Sequence, residues 1–383
     1  MSPPIPHIAR VPLTSKQPDA CPYCGGKSLT RRGTRRKKLE IVQLWRCAAC
    51  KRTFTPGPAA LHNKTYPLRL ILSALTDYDL GYTLEESAAR LQKKAHRAVA
   101  SSTITSWLDA YSKHCSYRRL RAAGLRRYPA TQTIRSIKLY HRQVYGYAYH
   151  WPKLDFVRNG TLDDKRIGDT RFAALADFLE SVPITCPHDL FRREDDPKAR
   201  ASQATPTWAD ASHIIINSKQ NAATDTAALI IPAVGNNKLR HETLQQFMLC
   251  NDSVTVAVEI PIWLVENDIA ALEREHGIEL VPRSGNPRAI TGHIDFLQVR
   301  NGCVHVLDYK PDARTNKPIA QLAIYALALT RRVPGLKLFD IKCAWFNEHE
   351  YCEIFPRTLF SSAVGGDLRP KNVSPGETFG HPH

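Results

Sequence analysis

Four cysteines constrain the chain more than any other residues. Cys21 and Cys24 form one C-x-x-C pair, Cys47 and Cys50 form another, and 22 residues separate the two. Together they supply the four thiolates that a tetrahedral zinc ion takes, and the spacer is long enough for a hairpin that returns the second pair to the first. The pattern predicts a four-cysteine zinc ribbon over residues 1–60, with Gly25-Gly26 giving the first knuckle the positive backbone angles it needs. The ion staples a segment too small to have a core of its own. The opening MSPPIPHIAR lacks an apolar signal region, so a reducing cytoplasm and metal binding are expected rather than disulfides.

Charge says what such a ribbon is for. Residues 1–130 hold 24 of the 53 Lys and Arg but 7 of the 36 Asp and Glu, a surplus equal to the +17 of all 383 residues; the remainder is neutral. Clustered bases of this kind bind polyanions through phosphate neutralisation and counterion release. Arg31, Arg32, Arg35, Arg36, Lys37 and Lys38 load the ribbon's spacer and are the first DNA-binding candidates. No run of about 18 apolar residues occurs, so a soluble protein with no membrane partner is expected.

After Thr55-Pro56-Gly57-Pro58, a linker, the pattern turns helical. Pro67 opens a first helix that Gly81 closes, Thr83 and Glu86 form a capping box for a second, and Ser102 is the expected N-cap of a third over Thr103 to Ser112. Ile104, Trp107, Leu108 and Tyr111 keep one apolar face of the third helix, while Ser102, Thr103, Thr105 and Ser106 lie near its start, where a recognition helix reads the major groove. Arg118 and Arg119 follow as further DNA contacts. The run CPYCGG, RRGTRRKK, LWRCAACKRTFTPG, then TYPLRLILSALTDYDLGYTLEESAARL and STITSWLDAY, resembles the zinc-ribbon plus helix-turn-helix start of bacterial and archaeal insertion-sequence transposases. That resemblance implies binding of transposon-end DNA by Cys21, Cys24, Cys47, Cys50 and the helix around Trp107. It also implies an RNase H-like domain next, and the chain departs from it there. IRSIKLYHRQVYGYAYHWPKLD offers aromatics that fit base stacking and a packing face equally well, with no acid before Asp155. Residues 192–225 read as a loop or linker.

From residue 235 onward the elements read α-β-β-β-α-β: LRHETLQQFML, VTVAVEIPIWL, HIDFLQV, CVHVLDYK, IAQLAIYALAL and LKLFDIKCAWF. Asp295 on the second strand and Asp308 near the end of the third, with the carbonyl of Tyr309, would make a hard oxygen site for Mg²⁺ or Mn²⁺. Lys310 lies on the same strand face as Asp308 and can position water or stabilise charge on a phosphate. GHID, thirteen positions, DYK, then Gln321 and Tyr325 on the next helix resembles the PD-(D/E)XK nuclease superfamily, most closely its RecB-like branch. The resemblance implies that Asp295 and Asp308 hold metal, that Lys310 is catalytic, and that Gln321 and Tyr325 support the site or contact DNA. It also implies a glutamate or histidine from the first helix, for which His241 and Glu242 are both available. Glu242 is the choice as the harder ligand, with Glu259 on the first strand as runner-up. His293 stands where the superfamily's name has proline. Cys343 and Cys352 have no C-x-x-C partner, so no iron-sulfur cluster is expected, and Cys115, Cys186, Cys250 and Cys303 read as buried small side chains.

The expected architecture is therefore multidomain: a four-cysteine zinc ribbon at 1–60, an all-α helix-turn-helix domain at 61–130, an aromatic and basic middle region with a linker at 131–230, an α/β restriction-endonuclease-like core (αβββαβ) at 231–358, and a disordered tail at 359–383. The expected activity is that of a Mg²⁺- or Mn²⁺-dependent deoxyribonuclease with structural zinc, acting on DNA in a prokaryotic cytoplasm alongside other mobile-element proteins. A DNA-binding regulator on an inactive nuclease scaffold and a DNA repair nuclease are the alternatives.

Overall fold

The computed structural model describes residues 17–36, 41–55, 66–95, 98–162, 165–166, 170–192, 200–203, 216–234, 237–280 and 289–360. Lys37, Lys38, the Pro56-Gly57-Pro58 linker, Gly235, most of the 192–225 segment and residues 361–383 lie outside them. At the amino-terminal end, strands β1 (Leu29–Arg36), β2 (Ile41–Cys47) and β3 (Thr53–Phe54) pair antiparallel in that order. The Cys21 and Cys50 sulfurs are 3.6 Å apart, as are those of Cys24 and Cys47, and the four form one group with Leu29, Trp45 and Phe54 behind it. Gly25 follows the first pair at φ 70 and Lys51 follows the second at φ 60, so both knuckles turn through the left-handed region. At Gly26 a Cβ would stand 3.2 Å from the Cys47 sulfur, a tight approach within the cysteine group.

Helices α1 (Leu68–Leu80), α2 (Leu84–Ala95) and α3 (Ser101–Ala110) follow. The Thr83–Glu86 box forms in both directions, at 2.8 and 3.1 Å. The third helix starts earlier than its sequence suggests: Ala100 is its N-cap, and Ser102 lies inside the first turn, where its carbonyl accepts from the Ser106 hydroxyl. Then come α4 (Arg118–Leu125), β4 (Ile134–His141), β5 (Gln143–His150), α5 (Trp151–Asn159), the two-residue strands β6 (Thr161–Leu162) and β7 (Lys165–Arg166), α6 (Ala173–Thr185), α7 (His188–Arg192), β8 (Asn217–Ser218), α8 (Ala222–Ile230), α9 (Asn237–Asn251), β9 (Thr255–Val265), α10 (Glu266–His276), β10 (Ala289–Arg300), β11 (Cys303–Tyr309), α11 (Ile319–Arg332), β12 (Ile341–Phe346) and β13 (Tyr351–Ile354).

Eight strands form one sheet in the order β4-β5-β9-β10-β11-β12-β13-β8, antiparallel except for the parallel pair β11–β12 that α11 connects. Apolar residues of α1–α3, α8 and α9 share one core with one part of the sheet's side chains, and those of α5, α6, α10 and α11 share a second core with the rest. Four expectations change. The aromatic middle region is a packing element as well as a surface, because Tyr147 and Tyr149 on β5 are buried and that strand pairs with β9. The helices expected as a free-standing domain at 61–130 instead bury Ile71, Leu75, Leu91 and Ile104 in the same core as Phe296 and Leu307 of the sheet. The αβββαβ order gains α10 after the first strand and β13 at the end; α10 is capped by the Asp268 carboxylate accepting from Val265 N–H at 3.1 Å and ends at Gly277 with φ 63. Within the expected loop or linker at 192–225, residues 217–218 are a strand and residues 222–225 begin the helix that runs to Ile230. Lys153, 2% exposed, donates to the carbonyls of Leu249 and Thr255 and so ties the end of α9 to the start of β9, the two elements that open the site.

Candidate active site

Strands β9, β10 and β11 lie side by side, and their register sets three acids in one row. Glu259 stands opposite Asp295, between the pairs Val258–Phe296 and Ile260–Ile294. Asp295 in turn faces Asp308, one step past the pair Phe296–Leu307. Like charges placed across neighbouring strands repel. Two cations answer them. His241 on α9 approaches Asp295 Oδ2 with its Nε2 at 2.8 Å, and the Lys310 Nζ is 2.8 Å from Asp308 Oδ2. The Tyr309 amide donates to Asp295 Oδ2 at 3.0 Å, and Gln245, one helical turn after His241, donates to Glu259 Oε1 at 2.7 Å and to the Asp295 carbonyl at 3.3 Å.

Glu259 reaches this row through an irregular backbone. Its φ is 52, a left-handed conformation that a side-chain-bearing residue seldom adopts and that functional sites tolerate. Residues two apart on a strand normally share a face, yet Val258 belongs to the core beneath α9 and Ile260 to the opposite core. The alternation therefore shifts at Glu259, and its carboxyl lines the cavity with those of Asp295 and Asp308. At the rim, Gln321 of α11 donates to the Tyr325 hydroxyl at 3.1 Å. A Cβ at Gly292 would lie 2.4 Å from a ring carbon of Tyr325, so the glycine before His293 makes room for that ring.

The electrostatics follow from burial and this pairing. Burial, then the Asp295 charge, pushes Asp308 well above the usual carboxylate range against the pull of Lys310. Burial would raise Asp295 too, but the His241 charge and hydrogen bond hold it below its ordinary value. Burial and Asp295 raise Glu259 to about 7, against His241 and the Gln245 hydrogen bond. Burial would lower His241, yet Asp295 carries it up to about 9. The row is thus proton-loaded and short of positive charge.

A nitrogen of His241 and oxygens of Glu259 and Asp295 lie within 4.8 Å of one another. Two carboxylates and one imidazole, with the Asp308 carboxyl next in the row, suit a hard to borderline divalent ion such as Mg²⁺ or Mn²⁺. The surrounding cavity, about 500 Å³, is also lined by His141, Gln143 and Tyr145 of the β4–β5 hairpin and by Arg200, and the Tyr145 ring stacks on His293 with centroids 3.6 Å apart.

The sequence pattern of the PD-(D/E)XK nuclease superfamily matches residues 141–354, more than half of the chain. The chain belongs to that superfamily. No curated protein and no solved structure matches it. The match begins at His141 in the β4–β5 hairpin, which supplies both sheet strands and cavity wall, whereas the expected nuclease core begins at residue 231.

Of the residues picked out for the nuclease site, Asp295, Asp308, Tyr309, Lys310, Gln321, Tyr325 and His241 all line this one cavity. Glu242 does not: it is exposed, a hundred degrees around α9 from the face that carries His241 and Gln245. Glu259, the runner-up, takes its place in the row. The hairpin's His141 and Tyr145 belong to the aromatic stretch read as base stacking or packing rather than as part of the nuclease site, and Gln245 is a further site residue that the i, i+4 spacing from His241 marks on one helix face. The DNA-binding candidates lie elsewhere. Arg31, Arg32 and Arg35 are exposed on β1, Arg36 ends that strand, and Arg31 stands over the Trp45 ring at 5.6 Å. Ser102, Thr105 and Ser106 are exposed on α3 and Thr103 is half-buried. Arg118 and Arg119 are exposed, with Arg118 3.6 Å from Asp109. Cys115, Cys186, Cys250 and Cys343 are buried, whereas Cys303 is only half-buried. Among the described residues no helix is long and apolar enough to cross a membrane.

Proposed function

We propose that the chain is a divalent-metal-dependent deoxyribonuclease whose amino-terminal ribbon and helices hold the DNA. The acid row of Glu259, Asp295 and Asp308, with Lys310 in the same cavity, is the observation that carries this reading. His241 Nε2, the three carboxylates and the Tyr309 carbonyl are the groups that would hold the ion. When bound, Mg²⁺ or Mn²⁺ supplies Lewis acidity toward a phosphodiester and a water of lowered pKa. Lys310, paired with Asp308, stabilises charge that builds on the phosphate during attack, and Gln321 and Tyr325 keep the rim in place. Arg200 on the cavity wall offers a second cation to a neighbouring phosphate.

The four-cysteine group binds zinc as a staple, and the exposed arginines of β1 contact the DNA backbone. The small polar residues at the start of α3 read the major groove. Resemblance of residues 21–112 to insertion-sequence transposases supports a place for the enzyme in a prokaryotic mobile element, cutting at element ends or target, rather than in general repair. A regulator on an inactive scaffold is the poorer reading, since a scaffold has no use for three facing carboxyls.

Purified protein incubated with supercoiled and linear DNA tests the proposal. Nicking or cutting in Mg²⁺ or Mn²⁺ that EDTA abolishes is the expected result. Tight DNA binding with no cleavage in either ion would favour the regulator.

A further inference from the structure

A second cluster of metal-capable side chains lies beside the acid row without belonging to it. His141 ends β4, while Cys186 and His188 flank Pro187 between α6 and α7. His141 Nε2 is 2.8 Å from His188 Nδ1, and with the Cys186 sulfur these atoms all fall within 4.8 Å of one another. His141 and Cys186 are buried and His188 is half-buried.

Two features distinguish this group from ordinary packing. The other nitrogen of His141, Nδ1, is 2.9 Å from His293 Nε2. When Nδ1–H donates there, Nε2 is left with its lone pair toward His188 and Cys186, the arrangement in which an imidazole binds metal while its second nitrogen is held by a neighbour. The Cys-Pro-His turn is closed by the His188 amide donating to the Cys186 carbonyl at 2.9 Å, which keeps the two side chains at one corner.

We infer that His141 Nε2, His188 Nδ1 and Cys186 Sγ form a three-ligand site for a zinc-class divalent ion, with a fourth position open to water beside half-exposed His188. Two imidazoles and one thiolate are a borderline-soft set that selects zinc over Mg²⁺, in contrast to the oxygen-rich row next to it. Bonds of about 2.0–2.3 Å would part the two imidazole nitrogens by roughly half an ångström, within the swing of the outer His188 ring. Cys186 enters as thiolate, its proton leaving to solvent. The ion staples the β4 end to the α6–α7 corner and fixes His141, and through it His293 on the cavity wall, as positioning residues. Cys186 is thus more than a small buried side chain.

Zinc content of the full-length protein tests this independently of any nuclease activity. Wild type, Cys186→Ser and His188→Gln are saturated with zinc, desalted and analysed, and the same three are loaded with Co²⁺. Wild type should hold about one zinc more per chain than either variant, because all keep the four ribbon cysteines. The Co²⁺ spectrum of wild type minus that of Cys186→Ser should show a thiolate-to-cobalt charge-transfer band. Should Cys186→Ser fail to fold, His188→Gln, altered at the half-exposed ligand, carries the comparison alone. Equal zinc in wild type and folded His188→Gln overturns the site, as does a cobalt difference spectrum without that band.

Discussion

The acid row and the ribbon place charge in opposite ways. In the row, Asp295 and Asp308 are buried, and every carboxylate has a defined partner in His241, Gln245, Tyr309 or Lys310. On the ribbon, Arg31, Arg32 and Arg35 stand exposed on one short strand. Buried charges are strong and directional because few water molecules compete with them, whereas exposed ones act through the summed field that phosphates feel. Under the proposed function, the row would handle a single bond and the ribbon would hold a long polyanion. Loss of one atom should therefore be severe in the row and gradual on the ribbon.

The largest effect is expected from Asp308→Asn. The amide keeps the shape of a side chain that is 2% exposed but cannot supply the charge that a divalent ion needs. Cleavage should drop by about a thousandfold or more, while mobility-shift affinity for DNA stays within a few-fold, since in the proposed mechanism the carboxyl would hold the ion and not the phosphates. Lys310→Ala should follow with about a hundredfold loss and retained Mn²⁺ binding. Wild-type cleavage by Asp308→Asn would detach the row from the chemistry.

Why the row was readable only in part is a matter of distance and regularity. Asp295 and Asp308 sit on adjacent strands joined by a two-residue turn at Asn301 and Gly302, and Lys310 follows directly after the second strand, so short-range spacing carries their relation. Glu259 was legible as an acid on a strand, but period-2 reasoning cannot see the left-handed backbone that turns it into the cavity. The hairpin residues His141 and Tyr145 precede Asp295 by some hundred and fifty residues, and only tertiary pairing of β5 with β9 brings them near. The helical apolar face from Leu68 to Tyr111 was equally legible, though the helix at Arg118–Leu125 was not, and the pattern of that face does not say whether it closes on itself; here α1 packs on α9 and joins the sheet's core. A fragment ending near residue 130 would expose that face, so binding is best probed in the intact chain.

On the ribbon, the triple variant Arg31→Ala, Arg32→Ala, Arg35→Ala should weaken DNA binding progressively. If each arginine neutralises one phosphate, the slope of log affinity against log salt should shrink by about 0.9 per arginine lost, and cleavage at saturating DNA should remain near wild type. An unchanged salt slope would remove β1 from the DNA interface. A fall in the saturated cleavage rate would erase the separation between the two regions.

The smallest expected effect is on the stability of the metal-free protein as pH changes. His241 at about 9 against 6.5, Glu259 at about 7 against 4.5, and Asp308 well above 3.8 all hold protons more tightly folded than unfolded. A raised folded pKa contributes stability that is fully present below the unfolded value and is lost as pH rises through the folded one. Glu259 and Asp308 therefore begin to lose their share above about pH 4, and His241 loses its own between 6.5 and about 9. Asp295, held low, has the opposite sign but acts only in acid, below the window of the other three. The His241 ring is 37% exposed, so screening blunts its part and the whole change should be a few degrees in Tm. In EDTA, Tm should drift down from about pH 5 to about pH 9. With saturating Mn²⁺ the drift should flatten or reverse, because the ion takes a neutral imidazole and ionised carboxyls and so binds more tightly as protons leave. Parallel curves in EDTA and Mn²⁺ would mean that His241 and Glu259 do not hold the ion, and the row would then have to be explained by its protons alone.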